Sequence, residues 1–205
     1  MLADGRELRL AAIEAPDESR AALQALAGDK TLRLETLGEA RDRYGRVVAF
    51  GFAGEAKESL QQALIAQGRA RVAARAGGRA CAESLLAAER QARDERLGLW
   101  ADPNFAPLPA ENPTRILAHA GNFVLVEGKV LSVRESGATI YLNFARRFRE
   151  GFSVTVLRRM SRGFTRAGLD LKALQGRRIR VRGIVERRRG PIVEVSHPEQ
   201  IGLIE

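Results

Sequence analysis

Two short segments in the first half of the chain combine arginines with carboxylates. One reads RLAAIEAPD, so that Arg9 and two carboxylates, Glu14 and Asp17, lie at the end of one predicted strand. The other reads DRYGR and places Arg46 on a glycine-containing turn. In phosphodiester hydrolysis a carboxylate deprotonates a water molecule, arginines stabilise the charge on the phosphate oxygens, and a hard cation held by carboxylates assists. The two segments contain the residue types that this chemistry requires.

Each segment taken alone also has a simpler interpretation. A carboxylate in front of a helix is usually a capping residue, and an arginine on a turn is usually solvated. Strand geometry adds a further condition. Arg9 and Glu14 have opposite parity along a strand and would face opposite sides of it. They converge only if the strand bends or bulges between them.

Hydrophobic periodicity and turn residues predict the elements that would position these segments. The predicted order is strand, helix, strand, strand, helix, strand, helix, and it begins with a hairpin around Asp4-Gly5. The later elements are a helix at Glu18–Leu26, strands at Lys30–Leu37 and Arg46–Phe52, a helix at Glu58–Gln67, a strand at Ala70–Ala74 and a helix at Cys81–Asp94, with a charged loop at Gly38–Tyr44.

Five blocks of the first half resemble the staphylococcal nuclease, or thermonuclease, family, and they occur in the family's order. The family pattern is an arginine, four mainly apolar residues and Asp-Thr/Ala-Pro-Glu, followed later by Asp-Lys/Arg-Tyr-Gly-Arg. The likeness covers about residues 2–101. The corresponding blocks are Arg9 with Glu14–Asp17, then Asp42–Arg46, Leu64–Gly68, Ala70–Ala73 and Leu97–Trp100.

The resemblance implies an activity and a role for each matching residue. The activity is that of a metal-dependent nuclease, which hydrolyses phosphodiester bonds of DNA or RNA. Arg9 and Arg46 would contact the phosphate and stabilise its transition-state charge. Glu14 and the backbone carbonyl of Ala15 would bind a divalent cation, which is Ca²⁺ in the family, with Mg²⁺ as the alternative. Asp17 stands where the family has its general-base glutamate.

This sequence departs from the family pattern at several positions. Glu14 replaces an Asp and Asp17 replaces a Glu, so the reach of each carboxylate changes by about 1 Å. A displacement of a catalytic group by that distance can lower the reaction rate ~10²-fold. Glu18 is an alternative base. Ala74 and Ala76 stand where the family has two active-site tyrosines. The family's earlier Gly-Asp-Thr motif, whose Asp is a metal ligand, is expected to lie upstream of this sequence.

Three functions are therefore open. The retained Arg9 and Arg46 favour an active nuclease, since binding alone would not require both. The exchanged carboxylates favour a degenerate nuclease domain that binds nucleic acid without cleaving it. A structural or protein-interaction role of both domains is the third. The resemblance also implies a secreted or periplasmic location, although the sequence contains no export signal and no apolar run long enough to span a membrane.

The second half of the chain differs from the first in charge. It holds 18 basic and 10 acidic residues, against 16 and 15 in residues 1–100, so it carries nearly all of the net charge of +9. Four prolines between residues 101 and 113 predict a stiff linker. The predicted domain organisation is a nuclease-like domain at 1–101, a linker at 102–116 and a basic domain at 117–205.

Five strand candidates, with one helix between the third and the fourth, predict an OB-fold barrel for the second domain. The predicted fold class is therefore mainly β with α (α+β), with two OB-fold-type barrels of which the first has three helices. The candidate elements are strands at Phe123–Ser132, Thr139–Phe144, Phe152–Leu157, Arg178–Glu186 and Ile192–Val195, and a helix at Ser161–Leu174.

Aromatic and arginine residues are interleaved in residues 141–166. This composition is typical of proteins that hold single-stranded nucleic acid by base stacking in a basic groove. The predicted partner is DNA or RNA, with single strands favoured, bound with a steep salt dependence. The candidate binding residues are Arg147, Phe148 and Arg149 around one aromatic ring, and Arg178, Arg180 and Arg182 on one face of a strand.

Overall fold

The structure, a computed structural model, describes residues 2, 4–74, 78–147 and 150–204, and only the backbone of residues 38–40 and 79. These residues form two compact units, of which the first ends at Pro103 and the second begins at Asn104. Each unit has its own hydrophobic core. Both combine sheets with helices, which confirms the predicted α+β class. No helix in the described ranges is long and apolar enough to cross a membrane.

The first unit follows the predicted order of elements, with the first predicted strand divided in two. Its sheet has the order β1-β4-β3, with β1 parallel and β3 antiparallel to β4, and β2 pairs separately with β5. The described elements are β1 (Leu8–Leu10), β2 (Ile13–Glu14), α1 (Arg20–Ala27), β3 (Leu32–Arg41), β4 (Val47–Ala53), α2 (Leu60–Ala66), β5 (Arg71–Val72) and α3 (Arg79–Asp94).

The segment predicted as a charged loop at Gly38–Tyr44 is partly strand. β3 continues to Arg41, with a shift of register against β4 between Thr36 and Arg41. A charged sequence is compatible with this strand because β3 lies at the edge of its sheet.

A bend at Ala11-Ala12 separates β1 from β2. Ala12 has a φ of 63°, which is uncommon for a residue other than glycine. The Ala11 N–H donates to the Ala49 carbonyl at 3.0 Å, whereas the Ala12 carbonyl accepts from the Ala73 N–H at 2.7 Å. At this point the chain leaves β4 and pairs with β5. The bend is the condition under which residues of opposite parity on either side of it can converge.

Two buried polar side chains hold the strands that flank this bend. Gln61 of α2 is fully buried, and it donates to the Ala49 carbonyl at 2.9 Å and accepts from the Gly51 N–H at 3.2 Å. Glu89 of α3 is also fully buried and accepts from the Val72 N–H at 2.7 Å. These bonds join both helices to β4 and β5. The helices therefore fix the two strands that pair with β1 and β2.

The end of the first unit is closed by two glycines in backbone contact. Gly68 and Gly98 have φ values of 65° and 52°. A Cβ at Gly68 would lie 2.1 Å from the Leu97 carbonyl oxygen, and one at Gly98 would lie 2.4 Å from the Gly68 carbonyl oxygen. The Leu99 N–H donates to that same Gly68 oxygen at 2.8 Å. Neither position can accept a side chain without moving backbone.

The second unit begins with a strand and a helix that were predicted as linker, and it contains eight described strands. Its sheet order is β6-β7-β11-β12-β10-β9-β8, and β13 pairs with β11. The described elements are β6 (Leu108–Pro109), α4 (Pro113–Leu117), β7 (Phe123–Lys129), β8 (Ser132–Ser136), β9 (Thr139–Asn143), β10 (Ser153–Leu157), α5 (Ser161–Arg166), β11 (Arg178–Arg187), β12 (Pro191–Glu194) and β13 (Ile201–Ile204).

A bend between β7 and β8 closes the second barrel. At the bend the Val130 N–H donates to the Arg177 carbonyl at 2.9 Å and the Leu131 N–H to the Asn143 carbonyl at 2.8 Å. β7 thus pairs with β11 and β8 with β9, so that this one bent stretch connects both sides of the sheet, with β6 added beside β7. The parallel β10–β12 pair and the position of α5 between β10 and β11 complete the OB-type order.

Residues 102–116 differ from the predicted linker. Leu108 and Ile116 are buried in the core of the second unit, and β6 pairs in parallel with β7. Asn112 caps α4, because its side chain accepts from the Arg115 N–H at 3.0 Å, and Pro113 occupies the first turn of the helix. The prolines therefore mark a strand end and a helix start rather than an extended spacer.

The predicted helix Ser161–Leu174 is shorter, and three strands, β6, β8 and β13, were not predicted as strands. α5 ends at Arg166, since the chain turns at Gly168, whose φ is 80°, and resumes as a 3-10 turn at Lys172–Leu174. The last of these, β13, pairs with the first half of β11. Its four residues include Gly202, so it has little of the alternating pattern that identifies a strand.

Candidate functional site

Four residues predicted for chemistry line one cavity of about 290 Å³ in the first unit. They are Arg9, Glu14, Ala15 and Asp17. Arg9 projects from β1 before the bend at Ala12, and the other three follow it. The bend therefore removes the obstacle of opposite parity between Arg9 and Glu14. Apolar residues of α1 and α2, Leu23 and Leu64, complete the same cavity.

The carboxylates are positioned by a strand pair and a short helical turn. Glu14 lies opposite Arg71 in the β2–β5 pair. Pro16 has extended backbone angles and precedes the 3-10 turn Asp17–Ser19, which leads directly into α1. The buried Ser19 hydroxyl donates to the Arg69 carbonyl and anchors this turn. Asp17 is thereby exposed in the first helical turn, where a negative charge is favourable.

Arg20 also lines this cavity, and the sequence interpretation missed it. It is the first residue of α1 and lies three residues after Asp17, a spacing that places two side chains on one face of a helix. The spacing of three residues from Asp17 could have identified Arg20 from the sequence. Glu18, the alternative base, does not line the cavity. The cavity therefore contains two arginines and two carboxylates.

The second predicted arginine, Arg46, is held by the turn that precedes β4. Asp42 accepts from the backbone N–H groups of Tyr44 and Arg46 at 2.9 and 3.1 Å through Oδ1. Its Oδ2 accepts from Arg46 Nε at 2.9 Å and lies 2.7 Å from Arg46 Nη2. Gly45 has a φ of 79°, which favours glycine. The Asp-Arg-Tyr-Gly-Arg block is thus a turn in which Asp42 and Gly45 fix the backbone and Asp42 also holds the side chain of Arg46.

This ion pair changes the titration of both partners. Burial acts to raise the pKa of Asp42, but the hydrogen bonds from the Arg46 side chain and from the Arg46 and Tyr44 N–H groups outweigh it, so the pKa lies below its ordinary value. The hydrogen bond to Asp42 raises the pKa of Arg46. Both groups are therefore charged at neutral pH.

Arg46 lies near the cavity but does not line it. Arg9 is paired with Val48 in the parallel β1–β4 register. Strand alternation carried back from Val48 places Arg46 on the same face as Arg9, at a Cα separation of ~8 Å. The structure therefore brings Arg9 together with the carboxylates, and it leaves Arg46 on a neighbouring strand end bound to Asp42.

The described residues do not form a complete divalent-cation site. Ca²⁺ takes about 6–8 oxygen ligands. The cavity offers the carboxylates of Glu14 and Asp17 and the backbone of Ala15, and no group of three or more His, Cys, Asp or Glu side chains gathers anywhere in the described ranges. Arg9 and Arg20 line the same space and disfavour a bare cation. The cavity residues suit a phosphate better than a cation alone.

The predicted binding residues of the second unit are separated by the fold. Phe148 and Arg149 lie outside the described residues, and Arg147 is exposed in the turn before them. Arg178 is exposed at the start of β11. Arg180 is paired with Glu127, with both Nε and Nη2 at 2.6 Å from Oε1.

Arg182 corrects the prediction of an open basic face on β11. Its exposed fraction is 4%, so it is buried. The chain after β12, including the 3-10 turn Pro198–Gln200, contacts β11, and the Gln200 side chain donates to the Arg182 carbonyl at 3.2 Å. The alternating arginines do lie on one face of β11. On that face, however, Glu127 pairs with Arg180 and the segment after β12 buries Arg182.

Comparison with known proteins agrees with the geometry of the first unit. The family model described as staphylococcal nuclease homologue matches residues 7–102, a range that contains the whole cavity and the Asp42–Arg46 turn. A search of curated proteins found no match. The resemblance inferred from the five sequence blocks is thus confirmed by a match of residues 7–102 to the staphylococcal nuclease homologue family.

Proposed function

We propose that the first unit hydrolyses phosphodiester bonds of DNA or RNA. The observation that carries this proposal is the convergence of Arg9, Glu14 and Asp17 on one cavity across the bend at Ala12. A residue other than glycine at positive φ is uncommon, and such conformations concentrate at functional sites. The match to this family supports the same class of activity.

The cavity residues divide into groups that bind the phosphate and groups that handle the proton. Arg9 and Arg20 are exposed cations that line the cavity, and they would hold the phosphate oxygens and stabilise the charge that grows on them. Asp17, exposed at the start of the 3-10 turn, would accept the proton of the attacking water. The water oxygen bonds to phosphorus, the bond to the leaving oxygen breaks, and the leaving oxygen takes a proton from solvent.

Arg46 would join the site by exchanging partners. In this structure Asp42 occupies its guanidinium. A phosphate held by Arg9 on the same sheet face competes with Asp42 for that guanidinium, because both are anionic acceptors of paired N–H donors. Arg46 would then add a second positive charge to the transition state.

Dependence on Ca²⁺, or on Mg²⁺ in its place, is part of the proposal because it is typical of the family. Two carboxylates cannot satisfy either cation, so oxygens of the bound phosphate and water would have to complete its coordination. The roles of Arg9, Arg20 and Asp17 follow from their own positions and do not require the cation. Metal dependence is therefore tested separately from cleavage.

Cleavage of labelled single-stranded DNA and RNA by the full chain tests the proposal. The assay is run with Ca²⁺, with Mg²⁺ and with chelator, beside Arg9→Ala and a matched control, Arg90→Ala. Arg90 is an exposed arginine of α3 outside the cavity, so its loss removes the same charge. Cleavage that is lost in Arg9→Ala and retained in Arg90→Ala supports the proposal. Equal rates in both variants contradict it.

A second candidate function is nucleic-acid binding without cleavage. The observations that favour it are the neutralisation of Arg46 by Asp42 and the incomplete set of cation ligands. It predicts binding that weakens as salt increases, with no product under any of the three metal conditions. Arg9→Ala would then weaken binding although the wild-type chain cleaves nothing.

A further inference from the structure

The described part of the second unit has a groove of about 580 Å³ on the barrel surface. Its walls come from the β8–β9 hairpin on one side and from the turn between β11 and β12 on the other. Its lining includes Arg134 and Tyr141 from the hairpin, Arg188 and Arg189 from the turn, and Asn143 and Ser153 between them.

Strand register aligns residues of four strands in two rows, and five of these eight residues line the groove. The outward residues of β8, β9, β10 and β12 are aligned by their pairing, whereas the residues between them point into the core. The first row is Ser132, Asn143, Ser153 and Ile192, and the second is Arg134, Tyr141, Thr155 and Glu194.

Two buried polar residues in the floor of the groove, Asn143 and Ser153, are held by hydrogen bonds to each other and to Ser132. Ser153 donates from Oγ to Asn143 Oδ1 at 3.1 Å, and Asn143 donates from Nδ2 to Ser132 Oγ at 3.2 Å. Asn143 and Ser153 are each 4% exposed. A floor fixed in this way presents a defined surface beneath the half-buried ring of Tyr141. The groove is therefore preformed.

The electrostatic balance of the groove is positive. Its lining contains three arginines and a single carboxylate, Glu135. That carboxylate lies 3.1 Å from Lys172 Nζ and 3.7 Å from Arg158 Nε, so cations outside the groove neutralise it. Arg188 is paired with glutamates of β11 and β12.

Two exposed arginines are available to a ligand. Among the described residues, Arg134 and Arg189 make no ion pair, and they lie on opposite walls of the groove. Tyr141 is the cross-strand partner of Arg134, so its ring lies beside one of these cations. An anionic ligand that also has flat aromatic groups matches this arrangement.

We propose that this groove binds a single-stranded segment of DNA or RNA, with a base stacked on Tyr141 and phosphates contacted by Arg134 and Arg189. Stacking on a protein ring requires an unpaired base, which a duplex does not offer. An acidic peptide would use the arginines but not the ring. The proposal rests on the proposed function only for the choice of nucleic acid as the partner. It differs from the sequence prediction because the binding surface is this groove and not the arginines of β11.

Binding of labelled oligo-dT and oligo-U to the full chain, measured by fluorescence anisotropy in chelator, tests the proposal. Tyr141→Ala is expected to weaken binding about 5- to 100-fold, whereas Tyr141→Phe, which keeps the ring, retains it. Arg134→Ala and Arg189→Ala should each lower the slope of log affinity against log salt by about 1. Arg166→Ala, an exposed arginine of α5 outside the groove, is the matched control.

The possible outcomes separate this proposal from the proposed cleavage. Chelator removes metal-dependent cleavage from the measurement, and repeating it in the Arg9→Ala background removes the contribution of the first unit. Wild-type affinity in Tyr141→Ala overturns the proposal, as does equal binding of duplex DNA or stronger competition by poly-glutamate. Loss of cleavage in Arg9→Ala with unchanged oligonucleotide binding supports the proposal, because the groove then works without the cavity. Circular dichroism checks that each variant remains folded.

Discussion

The two units assemble their candidate sites from different parts of the sequence. In the first unit, one continuous stretch from Arg9 to Arg20 supplies every charged residue of the cavity. In the second unit, the groove takes residues from β8, β9, β10, β12 and the β11–β12 turn, between Arg134 and Ile192. A site within one stretch depends on local geometry, above all on the bend at Ala12. A site across four strands depends on register, and any change of pairing would dismantle it.

The sharpest test of this contrast is Arg9→Ala. Removal of one group that stabilises transition-state charge is expected to lower the cleavage rate about 10²–10³-fold. Arg9 is exposed on β1, so the variant should fold normally, with an unchanged melting temperature. The two sites would not be separate if Arg9→Ala also abolished the effect of Tyr141→Ala on oligo-dT affinity in chelator.

A second test changes the reach of the two carboxylates. The double variant Glu14→Asp/Asp17→Glu restores the order of carboxylates that the family pattern has, and it is expected to raise the cleavage rate by up to about 10²-fold. Each single variant should give less, because both groups line one cavity and act together. An unchanged rate in the double variant would show that carboxylate reach does not limit cleavage.

A third test examines whether the units fold independently. Gly98→Ala places a Cβ 2.4 Å from the Gly68 carbonyl oxygen at a φ of 52°, so the free energy of unfolding of the first unit should fall by about 2 kcal/mol. The second unit has its own core, and its oligonucleotide affinity should not change. Gly163→Ala, in an open position on α5, is the control. A joint loss of both activities would contradict independent folding.

Prediction from sequence succeeded where the determinants are local. The carboxylate segment around Pro16 and the Asp42–Arg46 turn could be predicted because neighbouring residues determine them. The opposite parity of Arg9 and Glu14 also showed that the two side chains converge only if the strand bends. The residue types did not predict the bend itself. Ala12 has a positive φ because the chain pairs with β4 before this residue and with β5 after it. The groove was missed for a related reason. Tyr141 has no sequence neighbour on the opposite wall, and only the strand register brings the two walls together.

The same reasoning explains the error on β11. Alternation with apolar residues correctly placed Arg178, Arg180 and Arg182 on the outward face of that strand. Whether an outward face is open depends on what packs against it, and here a distant glutamate and the segment after β12 do so. Such contacts are long-range in sequence, so a single strand pattern contains no information about them.

The smallest expected effect concerns the pair that holds Arg46. Because the pKa of Asp42 is lower in the folded protein than its ordinary value near ~4, the ionised form stabilises the fold above that value. This stabilisation is lost as pH falls through the ordinary value and then through the folded one. Asp42→Asn should therefore lower the melting temperature slightly at pH 7 and not at all in strong acid. Both carboxylate oxygens are used, and the amide can reproduce only the bonds of one.

Release of Arg46 gives the same variant a second readout. If a phosphate competes with Asp42 for this guanidinium, Asp42→Asn should tighten binding of a short oligonucleotide to the first unit, measured in a Tyr141→Ala background to silence the groove. Arg46→Ala in that background should weaken it. Opposite changes of oligonucleotide affinity in the two variants would show that Arg46 exchanges Asp42 for the phosphate. Equal losses would show instead that the pair serves only the fold of the turn, and the cavity would then act through Arg9 and Arg20 alone.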